Sequence, residues 1–242
     1  MGTEFTVRFE GSLVGTPVEV WEAITKGSAG WLWPLDFQTR EGGLVGGLTG
    51  QGDRVVVWDP PRHLTVRADG ADGWFNNLDY HLEAWDRGTF LRYVHSGVLD
   101  EHDFDNEYEA CRQHTAFYYH SLGEYVRYFK GRAATYVSVD ARESSAAPGS
   151  FADIRAAIGL RDKATVGDRV LFEVAGLDPV DGVVDYLTGT FVGVRTVDAL
   201  YRFYGRDAFG WPIGVALHLF DPTVDGEKAH QAWAAWLDAY YG

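Results

Sequence analysis

A single cysteine in 242 residues excludes an internal disulfide and any Cys-x-x-Cys pair for zinc or redox chemistry. That suits a reducing compartment, so a cytoplasmic protein is expected. Basic residues are scarce too: 21 Lys and Arg stand against 35 Asp and Glu, a formal charge of −14. Nucleic acid and anionic membrane surfaces would be repelled at long range, and neither is expected as a partner. No run approaches the roughly 18 apolar residues of a membrane span, and the opening MGTEFTVRFEG has neither the basic segment nor the apolar core of a signal, so membrane insertion is not expected. Missing as well are Gly-x-Ser-x-Gly, a phosphate-binding loop and a dinucleotide fingerprint, because GGLVGGLTGQG lacks the strand-to-helix setting those glycines require. No His-x-x-x-His occurs. No cofactor and no metal are therefore expected.

What the chain has in quantity is aromatic side chains: nine Trp, thirteen Tyr and fourteen Phe, within a composition that is 46% hydrophobic. This is ample for a buried core, and it leaves open whether the surplus lines a pocket or simply enriches the interior. Phe5, Val7 and Phe9 alternate with Thr6, Arg8 and Glu10, the period of a half-buried strand. Thr16-Pro17 then predicts a helix, with Thr16 as N-cap, Pro17 at the first helical position and Glu19 completing a capping box. GWLWP reads as a short helix or turn. RVVVWDP, HLTVRAD, NLDYHLEAWD and TFLRYVHSGVL follow as an antiparallel meander. Residues 106 to 130 then change to helical spacing, with Tyr108, Cys111, Thr115, Tyr118, Leu122, Tyr125 and Phe129 three and four apart.

The second half repeats this order. ATYVSVDARES alternates like the first strand, APGSFADIRAAIGL places Pro148 before a helix, DRVLFEV, GVVDYLTGTFVGV, DALYRFYG and IGVALHLF read as four strands, and EKAHQAWAAWLDAYY closes with a helix. An α+β fold duplicated in tandem is expected, with domains at 1–131 and 132–242. A single α+β domain with a long C-terminal excursion is the alternative.

FTVRFEGSLVGTPVEVWEAIT, WLWP, VVVWDPPRHLTVR, GTFLRYVHSGV and HSLGEYVRYF together resemble the SRPBCC superfamily, also called START-like or helix-grip, and within it the branch similar to activators of heat-shock ATPase. The resemblance covers about the first 130 residues; the second half resembles only the architecture. It implies a curved antiparallel sheet around a long C-terminal helix with an apolar cavity between them. Known relatives use that cavity to carry lipids, sterols or plant hormones, or to fold and dehydrate aromatic polyketides. Chaperone activity is not transferred, since no separate docking domain accompanies it.

DEHDFDNEYEACRQH, residues 100 to 114, poses a choice between a metal site and the acidic start of a helix. Asp103, Asp105, Glu107 and Glu109 suit the positive end of the helix dipole, while His114 lies about two turns beyond Glu107 and Cys111 falls on the helix's apolar stripe. The helix reading is preferred. Alternation puts Leu91, Tyr93 and His95 on one face of their strand, which the family pattern turns inward. The candidate catalytic groups are His95 and His114 as bases, with Tyr93 and Tyr118 as hydrogen-bond donors. Trp21, Trp31, Trp33, Leu78, Tyr80, Leu82, Leu91 and Ser121 are the candidate ligand-binding residues.

Three functions are compatible with this set: binding of a small hydrophobic or aromatic molecule, cyclase or dehydratase chemistry, and a non-catalytic interaction role. In the last, a monomer pairs its two halves within one chain. Asp181, Asp185, Tyr201, Arg202, Tyr204, Arg206 and Asp207 read as solvated strand edges or as a polar ring. The second half, with only about 35 residues between Leu160 and Arg195, is expected to have a shorter sheet and, with YRFYG, Trp211, Trp233 and Trp236 to pack, to be filled or to present only a shallow groove, leaving the principal ligand-sized cavity in residues 1 to 130.

Overall fold

Alternation along the first strand orders the first sheet. β1 (Gly2–Val14) buries Phe5, Val7 and Leu13 between exposed neighbours, and pairs over its whole length with β7 (Gly88–Asp100), from Gly2 opposite Asp100 to Val14 opposite Gly88. The computed structural model describes residues 2–242, which divide into two compact units, 2–132 and 133–242.

In the first unit the chain leaves β1 through α1 (Pro17–Thr25). The Thr16 hydroxyl accepts from the Glu19 amide at 3.3 Å and the Glu19 carboxylate accepts from the Thr16 amide at 2.8 Å, so two otherwise orphaned donors are satisfied reciprocally. Glu19 also receives the Lys130 ammonium at 2.7 Å. A 3-10 turn at Ser28–Gly30 carries GWLWP, and a small hairpin of β2 (Asp36–Phe37) and β3 (Val45–Gly46) follows. β4 (Arg54–Asp59), β5 (His63–Asp69) and β6 (Phe75–Trp85) complete an antiparallel sheet of order β1-β7-β6-β5-β4. α2 (Phe104–Tyr128) lies against β1 and β7 and buries Phe117, Tyr119, Leu122, Tyr125 and Val126. A sheet wrapped on one long helix is the helix-grip arrangement.

Asp103 is the N-cap of α2 and Asp105 and Glu107 lie in its first turn. The acids of the 100–114 stretch are therefore at the helix start, with Glu107 accepting from the Asp100 amide and Glu109 paired with Arg112.

The second unit opens with β8 (Thr135–Asp140) and α3 (Phe151–Ala157), continues through β9 (Arg169–Phe172), β10 (Val180–Leu187), β11 (Phe191–Arg195), β12 (Ala199–Tyr204) and β13 (Gly214–Leu219), and ends in α4 (Gly226–Tyr241). Its sheet runs β8-β13-β12-β11-β10-β9. In both units the first strand thus lies beside the last strand of a meander, with a helix after the first strand and another at the end.

Two expectations are corrected here. GVVDYLTGTFVGV is a hairpin rather than one strand: the Thr188 amide donates to the Phe191 carbonyl at 2.9 Å, and the Thr188 hydroxyl accepts from the Phe191 amide at 2.9 Å, turning the chain at Thr188-Gly189-Thr190. The second sheet accordingly has six strands against five in the first, although each is short. Nor are Asp185 and Arg202 solvated edges. Arg202 Nη1 donates to both Asp185 carboxylate oxygens at 2.8 and 2.9 Å in a fully buried pair. Gly193 lies opposite Arg202, and a Cβ there would stand 2.1 Å from Asp185 Oδ1. Asp207 is buried as well, accepting from the Gly149 and Phe151 amides at the start of α3.

Candidate functional site

Between α2 and the concave face of the first sheet lies a cavity of about 230 Å³. Three segments build it. The loop after α1 contributes Trp31, Leu32, Trp33, Leu48 and Thr49; the sheet contributes Asn76, Leu78, Tyr80, Tyr93 and His95; α2 contributes Cys111, His114, Thr115, Tyr118 and Tyr119. Both tryptophans are oriented through their indole N–H groups, Trp31 donating to the Ala23 carbonyl at 3.0 Å and Trp33 to the Gly47 carbonyl at 2.6 Å. The Trp33 ring meets Tyr118 edge to face at 5.5 Å.

Of the residues predicted from sequence, Trp31, Trp33, Leu78, Tyr80, Tyr93, His95, His114 and Tyr118 converge on this cavity. Trp21, Leu82, Leu91 and Ser121 do not. Trp21 packs edge to face on Trp58, Leu82 and Leu91 are fully buried core residues, and the Ser121 hydroxyl donates to the Phe117 carbonyl one turn back. Sequence reasoning missed Tyr119, Asn76 and, as a cavity residue, Cys111. Tyr119 lies off the three-and-four stripe that contains Tyr118, yet its ring stacks on Phe9 at 4.8 Å and lies 4.5 Å from Tyr93.

The three phenols of Tyr80, Tyr93 and Tyr119 form one group, with Tyr119 hydrogen-bonded to the other two. Burial pushes all three phenols up, Tyr80 to about 12, so each keeps its proton. His95 is placed by two neighbours. Its Nε2 lies 2.6 Å from Asn76 Oδ1 and its Nδ1 3.3 Å from Cys111 Sγ. With the proton on Nε2, the imidazole donates to Asn76 and accepts from the thiol. Burial pulls His95 down to about 4 and pushes Cys111 up to about 11, so the pair rests as neutral imidazole and neutral thiol rather than as an ion pair. Phe5 closes the other side of His95, edge to face at 4.8 Å, in space that exists because residue 97 is glycine: a Cβ there would lie 2.9 Å from the Phe5 ring. His114 donates from Nδ1 to the Ala110 carbonyl at 2.8 Å, and its ring is 5.8 Å from Tyr118.

A second cleft, of about 540 Å³, lies within the second unit. The expectation that the second half is filled or presents only a shallow groove is therefore corrected, since this cleft exceeds the first unit's cavity in volume. Trp233 does fill the interior as foreseen, packed among Phe172, Tyr201 and Phe203. The cleft opens beyond it, among the turns around residues 176–181, 196–199 and 221–225. Four of its five aspartates already serve local structure: Asp225 caps α4 through the Lys228 amide, Asp181 receives Arg169 at 2.7 Å, and Asp198 and Asp221 accept from the hydroxyls of Thr196 and Thr223.

No family model and no curated protein matches the chain. Solved structures do. A Mesorhizobium loti protein, MLL2253, is 20% identical over 52% of this chain and 99% of its own, with a TM-score of 0.45. The Aha1 dimer from Colwellia psychrerythraea is 19% identical over 52% and 99%, TM-score 0.42. DynU16, from the dynemicin biosynthetic locus, is 17% identical over 97% of this chain and 96% of its own, TM-score 0.42. Likeness this distant says nothing about what the chain binds. Among the described residues no helix is long and apolar enough to cross a membrane.

Proposed function

We propose that the first unit binds a small, uncharged aromatic molecule between α2 and its sheet. The observation that carries this reading is the character of the cavity wall: tryptophan and tyrosine rings, with phenols, His95 and Cys111 that burial holds in their neutral forms. A charged ligand would leave water for a wall built chiefly of aromatic rings, which is costly, whereas a neutral ring system gains apolar contact and finds phenol donors for one or two oxygens. An apolar cavity of about 150 Å³ accommodates one benzene ring. At about 230 Å³ the present one suits roughly two fused rings and falls below the usual size of a drug-like site. The larger cleft of the second unit is the weaker candidate because four of its five aspartates are already engaged in local structure. We read the second unit as a diverged copy of the first, and the free thiol of Cys111 as fitting a cytoplasmic setting.

Titrating a bicyclic phenol such as 2-naphthol, followed through the fluorescence of Trp31 and Trp33, tests the reading. Saturation at micromolar concentrations, abolished by Cys111→Phe, is expected. A titration that stays linear, or one unchanged by Cys111→Phe, overturns it.

A second reading, cyclase or dehydratase chemistry, draws on the same phenol group, which is preorganised to donate to a developing enolate. His95 is a poor base for it, with its proton affinity lowered by burial and both nitrogens facing protein partners. His114 beside Tyr118 is the base this reading requires. Turnover of an aromatic polyketone that persists in His114→Ala and in Tyr93→Phe would remove it.

A further inference from the structure

On the opposite face of the same sheet, two imidazoles and a carboxylate meet. β5 and β6 pair with His63 opposite His81 and Thr65 opposite Asp79. The alternate residues Leu64, Val66, Leu78, Tyr80 and Leu82 are buried toward α2, so these four side chains share the outer face. His63 Nε2 lies 2.8 Å from Asp79 Oδ1 and His81 Nε2 lies 3.0 Å from Asp79 Oδ2. The two rings stack at 3.9 Å, and one ligand atom from each of the three residues lies within 4.8 Å of the others.

We propose that His63, Asp79 and His81 form a binding site for a divalent first-row transition-metal ion, of which Zn²⁺ is the type. Two imidazole nitrogens and one carboxylate oxygen suit zinc, nickel, copper and cobalt, and three protein ligands leave a position for water. One ion held between the two rings and Asp79 would satisfy all three ligands at once. The ligands need only close from their present spacing to bonds of about 2.0–2.2 Å, by side-chain rotation on two rigid strands. Asp79 is also held from behind, since Thr65 Oγ1 donates to its Oδ1 at 2.6 Å, as outer-shell partners of metal ligands do. The side chains are 30%, 25% and 43% exposed, which gives an ion a route in from solvent. Arg92, opposite His81 across the sheet, is occupied by Glu83 and Glu10. Spacing along the chain could not show this site, because residues 63 and 79 meet only through strand register.

Titration of the full chain with Co²⁺, read by visible absorption, and with Zn²⁺, read by calorimetry, tests the site. One ion per chain is expected, lost in His63→Asn and in His81→Asn. Thr65→Val should weaken binding about ten- to a hundredfold. On the unsubstituted protein, Co²⁺ should broaden the His63 and His81 imidazole resonances in NMR before those of the other six histidines. Absence of binding at about 100 μM metal, a hundredfold above the micromolar range at which a specific site is occupied, overturns the proposal. So does equal affinity in both histidine variants, or broadening that begins elsewhere.

Discussion

The two units place a terminal helix on an antiparallel sheet and fill the space between them differently. In the first, tyrosines and a histidine meet across the interface and leave a cavity among the rings. In the second, Trp233 occupies the corresponding interior with Phe172, Tyr201 and Phe203, and the opening lies among polar turns instead. Helix length follows the same division. α2 has 25 residues and reaches past the mouth of its cavity, while α4 has 16 and buries one stripe of Ala229, Trp233, Leu237 and Tyr241, each four residues from the next. A helix with several polar-tipped rings on a wide buried arc makes a site; one with a large indole on a narrow stripe makes a core.

The strongest way to separate the units is through the buried ion pair of the second. Asp185→Ala leaves the Arg202 guanidinium buried without its carboxylate and should cost about 3–5 kcal/mol, and Gly193→Ala should be comparably damaging because its Cβ has no room. The double change Asp185→Leu with Arg202→Met should recover most of the loss. Urea unfolding should show the second unit melting earlier in the single variants, with 2-naphthol binding retained by the first.

Somewhat smaller is the pH effect of His95. Its folded-state pKa of about 4 lies below the ordinary 6.5, so the unfolded chain takes up a proton that the folded chain refuses. Stability of the first unit should be unaffected above pH 6.5 and fall as pH drops from there toward 4, by on the order of 3 kcal/mol over the whole window. His95→Gln should flatten that slope. An unchanged slope in the variant would assign the acid sensitivity to other groups.

The smallest effect concerns the start of α1. Thr16→Ala removes one half of the capping box and should cost about 1 kcal/mol, confined to the first unit, as read from its urea midpoint.

Much of this organisation was legible in the sequence where one local rule decided the outcome. Thr16, Pro17 and Glu19 mark α1 within a few residues of chain, and alternation groups Leu91, Tyr93 and His95 on one face of β7, which the family resemblance turns inward. What escaped depends on contacts between distant residues. The Thr188 turn was hidden because its flanks are both apolar and β-branched, so one long strand and a tight hairpin share the same pattern. Tyr119 was hidden because the sheet wraps a wider arc of α2 than a three-and-four stripe describes. Asn76 and Cys111 reach His95 across 19 and 16 residues of sequence, and the outer histidines meet across a strand pair. Sheet register brings Asn76 and the outer histidines to their partners and the packing of α2 on the sheet brings Cys111 to His95, and periodicity specifies neither.

Paired 2-naphthol titrations of the parent chain, Cys111→Phe in the first unit and Val224→Trp in the second test most directly where the binding site lies. Saturable binding lost in Cys111→Phe and unchanged in Val224→Trp is the result expected. Binding that survives Cys111→Phe and disappears in Val224→Trp would move the site to the cleft of the second unit and contradict the account.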